Sequence, residues 1–215
     1  QVAGFRIRMR FTIDETLDDL PVAAIDAQPV FTRTMQRIIG RMENPIFKNS
    51  FKGLGTDISL ILVLENESDR KKADEDFGEL VSFYGKQEKI FSRFDSQSEL
   101  SKLNANLGKY QEASECINCV VRSSLYFYEH TLEYFDPRVI EILENIGYCK
   151  SFREADFSEG SEEIPPNFFN KRLREDLKIE KNQVFFGRRM DFSGIAKGYI
   201  TDRGTALLKK KGWEN

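Results

Sequence analysis

DFSGIAKGYITD, from Asp191 to Asp202, is the stretch on which the reading of this chain turns. Gly194 and Gly198 bracket Lys197 where a short apolar strand pattern gives way to a helical one. A strand-to-helix junction of this kind offers an anion the unpaired N–H groups of the first helical turn, at the positive end of the helix dipole. Gly194 allows close backbone approach and Lys197 adds a full positive charge. The chemistry suits a phosphate or pyrophosphate, although a glycine turn that only starts a helix carries the same letters. The neighbouring stretches decide between the two.

Working back from Asp191, Leu177–Glu180 and Gln183–Phe186 flank Lys181-Asn182 and predict a hairpin that feeds the junction. Residues 150–172, acidic and carrying Pro165-Pro166, read as a surface excursion. Asp136-Pro137 predicts a helix N-cap followed by proline at the first helical position. The apolar positions Val139, Ile140, Leu143 and Ile146 then carry that helix to Gly147. A further helix is predicted over Ser114–Thr131, with Ile117, Val120, Val121, Leu125 and Tyr128 inward. The segment FSRFDSQSELSKLNAN, Phe91 to Asn106, is dense in small hydroxyls; Ser98 can cap a short helix, and the same loop can grip a polar, aromatic ligand.

Closer to the N-terminus, Ala73, Phe77, Leu80, Val81 and Tyr84 recur at helical spacing and mark a long helix whose apolar stripe is core. Before it, Ile58, Leu60, Leu62 and Leu64 recur at every second residue, as in a strand buried on at least one face. Residues 1–50 read differently. Phe5–Ile13 alternates like a half-buried strand, three prolines follow, and a short helix fits Thr32–Met42. We divide the chain accordingly into an extension or preceding tail (1–50) and a main domain (51–215).

Composition bounds the function. The 215 residues suffice for a real core, and 40% hydrophobic against 31% charged residues fit an ordinary globular fold. A net charge of -3 argues against a nucleic-acid binder. No apolar run approaches the roughly 20 residues of a membrane helix. The basic run Lys209–Lys211 before Gly212 reads as a helix end. Cys116, Cys119 and Cys149 establish neither a disulfide framework nor a zinc site, and the single histidine, His130, gives triad or multi-histidine metal chemistry little to draw on. The chain opens without a signal-peptide pattern and stops right after a helix, so both ends read as cut.

Three stretches in this order resemble one family, the ApbE-type FAD:protein FMN transferases, also called thiamine-biosynthesis lipoproteins. They are the glycine-threonine turn KGLGTDISL (Lys52–Leu60), FSRFDSQSELSKLN (Phe91–Asn104), and the pair YFDPRV (Tyr134–Val139) and DFSGIAKGYITD. The resemblance covers Phe51 to Gly212 and implies an α/β (α+β), mixed T-fold-like domain with FAD in a cleft. It places Leu54 and Thr56 near the flavin and sets Phe94 against the isoalloxazine. Ser98, Glu99 and Asn104 would hydrogen-bond the ligand or brace the loop. Thr131 and Asp136 match the family's Thr and Asp. Lys197 would hold the pyrophosphate as the catalytic lysine, the Gly194 carbonyl would be a Mg2+ ligand, and Asp202 would complete the site. Leu54, Ser193 and Leu132-Glu133-Tyr134 depart from the family's usual methionine, glycine and glycine-containing linker. Members of the family continue beyond the equivalent of Asn215 with an Asp and a Thr that ligate Mg2+, so the domain reads as truncated at its C-terminus.

The activity implied is transfer of FMN from FAD to a threonine of a target redox protein, through a phosphoester and with release of AMP. The partners would be FAD and an acceptor protein bearing that threonine. Two other readings stay open: a flavin-binding module that transfers nothing, and hydrolysis of FAD to FMN and AMP. Compartment is left open.

Overall fold

The computed structural model describes residues 44–148 and 170–214. The expected strand over Phe5–Ile13, the helix over Thr32–Met42, Cys149 and most of the excursion over 150–172 lie outside the described residues. The rest divides into two compact units, one of residues 44–52, 56–81 and 207–214, the other of 53–55, 82–148 and 170–206.

The first unit holds a two-stranded sheet, β1 (Ile46–Gly53) and β2 (Thr56–Val63). Ile58, Leu60, Leu62 and Leu64 are all buried while Ile61 is exposed, as the alternation predicts. The Leu54-Gly55 connection has φ of 54° and 73°, the paired left-handed conformations that a tight two-residue hairpin turn requires. A capping box at Asn66 and Asp69 then leads into the long helix α1 (Arg70–Phe91). Phe77 of α1 meets Phe47 and Phe51 of β1 edge-on, at 6.1 and 5.7 Å between ring centroids.

The last turn of the C-terminal helix closes as its sequence predicts. Gly212, at φ 91°, donates to the Lys209 carbonyl, and Trp213 donates to that of Leu208. The Trp213 indole N–H donates to the buried Asp76 carboxylate at 2.7 Å, and Lys211 reaches the same carboxylate at 2.8 Å. Burial pushes the Asp76 carboxyl up, but the bonds from Lys211 and Trp213 outweigh it and hold it below the usual range.

The second unit packs helices on a three-stranded antiparallel sheet in the order β3-β5-β4, with β3 Tyr110–Glu112, β4 Leu177–Glu180 and β5 Gln183–Phe186. The predicted hairpin is β4–β5, in which Leu177 pairs with Phe186 and Ile179 with Val184. α2 (Glu99–Asn104) is capped by Ser98, as expected, and α3 (Glu115–His130) by Ser114. α3 packs on β4 and β5, and Ile117, Val120 and Val121, on the face its periodicity sets inward, are buried. α5 (Leu173–Asp176) precedes β4, and α6 (Ser193–Lys210) follows β5. The core contains Leu100, Leu103, Leu173, Val184, Phe186, Phe192 and Ile200, all buried.

One helix starts later than expected. α4 spans Ile140–Asn145 with Val139 as its N-cap, and not from Asp136-Pro137. Asp136 does accept a bond from the Arg138 N–H, but its carboxylate is taken by the Arg138 side chain, and the Pro137 carbonyl accepts from Asp191 at 2.7 Å. With Asp136 turned onto Arg138, itself tied to Asp176, and Pro137 held by Asp191, the chain turns helical only beyond them.

Candidate functional site

Within the second unit, the three later motifs converge on Met190–Gly194, the segment that opens α6. Asn104 clamps it from α2: its amide oxygen accepts from the Met190 N–H at 2.8 Å and its amide NH2 donates to the Met190 carbonyl at 2.9 Å. Pro137 accepts the next backbone N–H, that of Asp191. Asp191 itself is buried; it accepts from the Ser193 N–H at 2.6 Å and pairs with the Arg93 guanidinium at 2.9 Å. A carboxylate aimed at the first amides of a helix is stabilised by the dipole and satisfies one orphan donor.

That cap revises what the junction offers an anion. Asp191 occupies the Ser193 N–H, and the Phe192 carbonyl takes the N–H groups of Ile195 and Ala196. Gly194 is exposed, and its N–H has no partner among the described residues. Lys197, three residues on and therefore on the same helix face, is half-buried, and its ammonium also has no hydrogen-bond or ion-pair partner among them. Together they make a small, positively polarised patch. A Cβ at residue 194 would lie 3.4 Å from the Phe135 ring, ordinary contact, so the absence of a side chain there matters by keeping the N–H approachable.

The other expected site residues are held by the protein itself. Ser98, fully buried, donates to the Ser92 carbonyl and accepts from the Ser101 N–H. Glu99 accepts from the Ser114 N–H at 2.6 Å and so ties α2 to the start of α3. Thr131 donates to the Phe127 carbonyl and accepts from the Phe135 N–H, closing a turn in which Leu132 and Glu133 have φ of 53° and 68°. Glycine adopts such angles without strain, which is why a glycine-containing linker suits this turn. Asp136 binds Arg138 through both oxygens, at 2.7 to 3.2 Å, while Arg138 also reaches Asp176 at 2.8 Å. Burial acts to lower the Arg138 pKa, but the two carboxylates outweigh it and raise it further.

Phe94 differs: 43% of it remains exposed. Leu54 lies in the turn of the β1–β2 hairpin and Thr56 opens β2. Asp202 is exposed on α6, about 140° around the axis from Lys197 at 3.6 residues per turn, so the two do not share a face. No group of three or more His, Cys, Asp or Glu side chains among the described residues is placed to hold a metal ion. The Gly194 carbonyl lies inside the first turn of α6 and keeps only its second lone pair for a ligand. These residues alone therefore do not fit a Mg2+ site. Cys116 and Cys119 are free, half-buried thiols on α3, and His130 stacks on Tyr126.

Residue type alone did not reveal Arg93, Arg138, Asp176 and Asp191. The one local signal was the acid at Asp191, directly ahead of a helix start, where a cap is expected.

Solved structures share this architecture. The chain superposes on the ApbE protein of Thermotoga maritima with a TM-score of 0.62 at 23% identity, covering 76% of this chain and 52% of that one. For the flavin transferase ApbE of Vibrio cholerae the values are 0.64, 20%, 80% and 56%. For the flavinyl transferase ApbE of Pseudomonas stutzeri, apo form, they are 0.59, 19%, 76% and 56%. The chain thus spans little more than half the length of these proteins. Over 134 residues it is also 28% identical to the AFG2-interacting ribosome maturation factor of Xenopus tropicalis, a match covering 61% of this chain and 62% of that protein. The ApbE family model matches residues 54–215, three quarters of the sequence and all the motifs of the junction, and the chain belongs to the ApbE family.

Proposed function

We propose that the protein carrying this chain binds FAD at the opening of α6 and transfers its FMN to a threonine of an acceptor redox protein. The observation that carries the reading is the contrast within the motifs: Ser98, Glu99 and Asn104 bond the protein's own backbone, while the Gly194 N–H and the Lys197 ammonium have no partners among the described residues and lie on one helix face. A pyrophosphate satisfies both. Family membership and the flavin transferases among the solved relatives support the same assignment.

In the transfer, the threonine oxygen forms a bond to the FMN phosphorus as the pyrophosphate P–O bond breaks. AMP leaves with the electron pair, and the threonine proton passes to solvent. Positioning and charge neutralisation supply most of the acceleration in such reactions. Lys197 would hold the pyrophosphate and offset the negative charge that grows on AMP. Phe94 would pack on the isoalloxazine. The resemblance further implies Mg2+, to which the described residues would offer the Gly194 carbonyl and no side chain.

The test is FAD titration followed by flavin fluorescence, then incubation with FAD, Mg2+ and a threonine-bearing acceptor. Binding at tens of micromolar or below, the range of a working cofactor affinity, and a fluorescent acceptor band are expected. Lys197→Met should slow transfer ~100-fold, the scale of losing one electrostatic stabiliser. No flavin binding would refute the assignment, and FMN released without acceptor labelling would mark hydrolysis.

A further inference from the structure

Arg93 lies in the Phe91–Asn106 loop, and its guanidinium meets Asp191, Tyr148 and Phe94. One nitrogen pairs with the buried Asp191 at 2.9 Å, and another donates to the Tyr148 carbonyl at 2.7 Å. Its carbon lies 4.1 Å from the centroid of the Phe94 ring and 4.6 Å from that of Tyr148. The Tyr148 ring meets Phe94 edge-on at 5.7 Å and 65°. The Arg93 side chain is 7% exposed and that of Asp191 3%, so this is an interior ion pair, and its planar cation forms the back wall of a half-exposed aromatic.

We infer that Arg93 is a positioning residue for flavin: stacked on Phe94 and paired to Asp191, it fixes the aromatic platform to the opening turn of α6, so that one ligand can meet the ring and the Gly194–Lys197 patch together. The inference rests on the proposed flavin site and adds to it a residue that touches no ligand. With the guanidinium on one face and Tyr148 at the edge, the remaining exposed surface of Phe94 is left for a flat partner. A lysine at this position retains the charge but has no plane to lay on the ring and no fork to reach both Asp191 and Tyr148. An ion pair that served stability alone would be restored by lysine. Platform positioning would not.

The experiment compares wild type, Arg93→Lys and the double variant Arg93→Met/Asp191→Asn, the last because Arg93→Met alone leaves a buried carboxylate unpaired. Each is followed by thermal unfolding, by NMR of a 13C-labelled Phe94 ring without ligand, and by FAD titration with absorption and fluorescence read together. The expected result is a folded Arg93→Lys protein in which the Phe94 resonances shift and sharpen toward those of a mobile ring. Its FAD dissociation constant should rise about tenfold, the scale of one disturbed aromatic contact, with weaker quenching of bound flavin. The double variant should fold and show the same two losses. A Phe94 resonance and an FAD affinity both unchanged in Arg93→Lys would overturn the inference. A wild-type protein that binds no FAD would instead sink the proposed function, and the ring measurement would still decide whether Arg93 holds Phe94.

Discussion

The Ser92–Asn104 segment and the opening turn of α6 look equally suited to ligand binding as sequence, and they differ in what their polar groups do. In the first, Ser98, Glu99 and Asn104 all end on the protein's own backbone, and each bond joins elements that the core must bring together. In the second, the one full charge, Lys197, has no partner among the described residues. A motif can therefore be rich in hydrogen-bonding residues because it shapes a site, and the groups left to meet a ligand are the few whose bonds are missing. On this view Thr131 and Asp136 side with the braces, Phe94 with Lys197.

The largest expected effect comes from the strongest brace. If Asp136 holds Arg138 and touches no ligand, Asp136→Ala strips a buried guanidinium of one of its two carboxylates. We expect a loss of about 3 kcal/mol in urea unfolding, the low end for breaking a buried pair because Asp176 remains. A variant of unchanged stability with impaired flavin binding would move Asp136 to the ligand side and break the comparison.

Asn104→Ala comes next. It leaves the N–H and carbonyl of fully buried Met190 without partners, at a cost of about 2 kcal/mol by the same measurement. Ser98→Ala removes an N-cap and should cost about 1 kcal/mol. Both should bind FAD close to normally at temperatures where they remain folded, which a titration well below the unfolding transition checks.

The order of these effects reflects what a sequence makes legible. β2, the stripe of α1, the inward face of α3, the Ser98 cap and the β4–β5 hairpin were readable because each depends on periodicity or on neighbours a few residues away. The start of α4 differs from the sequence pattern because Asp136 is turned onto Arg138, which the fold ties to Asp176, and because the fold brings Asp191 onto the Pro137 carbonyl. The candidate site was legible as a set of motifs but not as a division of labour. Asn104 and Met190 are 86 positions apart, and no local pattern says that an amide will close on a backbone at that distance. The role of Arg93 is illegible for the same reason, since only the fold brings it onto Asp191.

The smallest expected change in stability is also the most discriminating. Lys197 is half-buried on the first turns of α6 and forms no hydrogen bond or ion pair among the described residues, so its ammonium contributes little to folding. Methionine keeps the helix propensity and the apolar stem. Lys197→Met should then shift unfolding by no more than about 0.5 kcal/mol, the range of surface substitutions away from special features. Its charge is also placed where the helix dipole is already positive, so removing it relieves a small repulsion and does not strip away a partner. The same change should weaken FAD binding, and more strongly at low salt, because a pyrophosphate loses its facing cation and screening no longer has an attraction to mask. Parallel titrations with FAD and with riboflavin, which has no phosphate, separate the causes: wild type and variant should differ for FAD and agree for riboflavin. Equal loss for both ligands would mean that Lys197 shapes the pocket as a brace does. A stability loss of several kcal/mol would place it with Asn104 and Asp136.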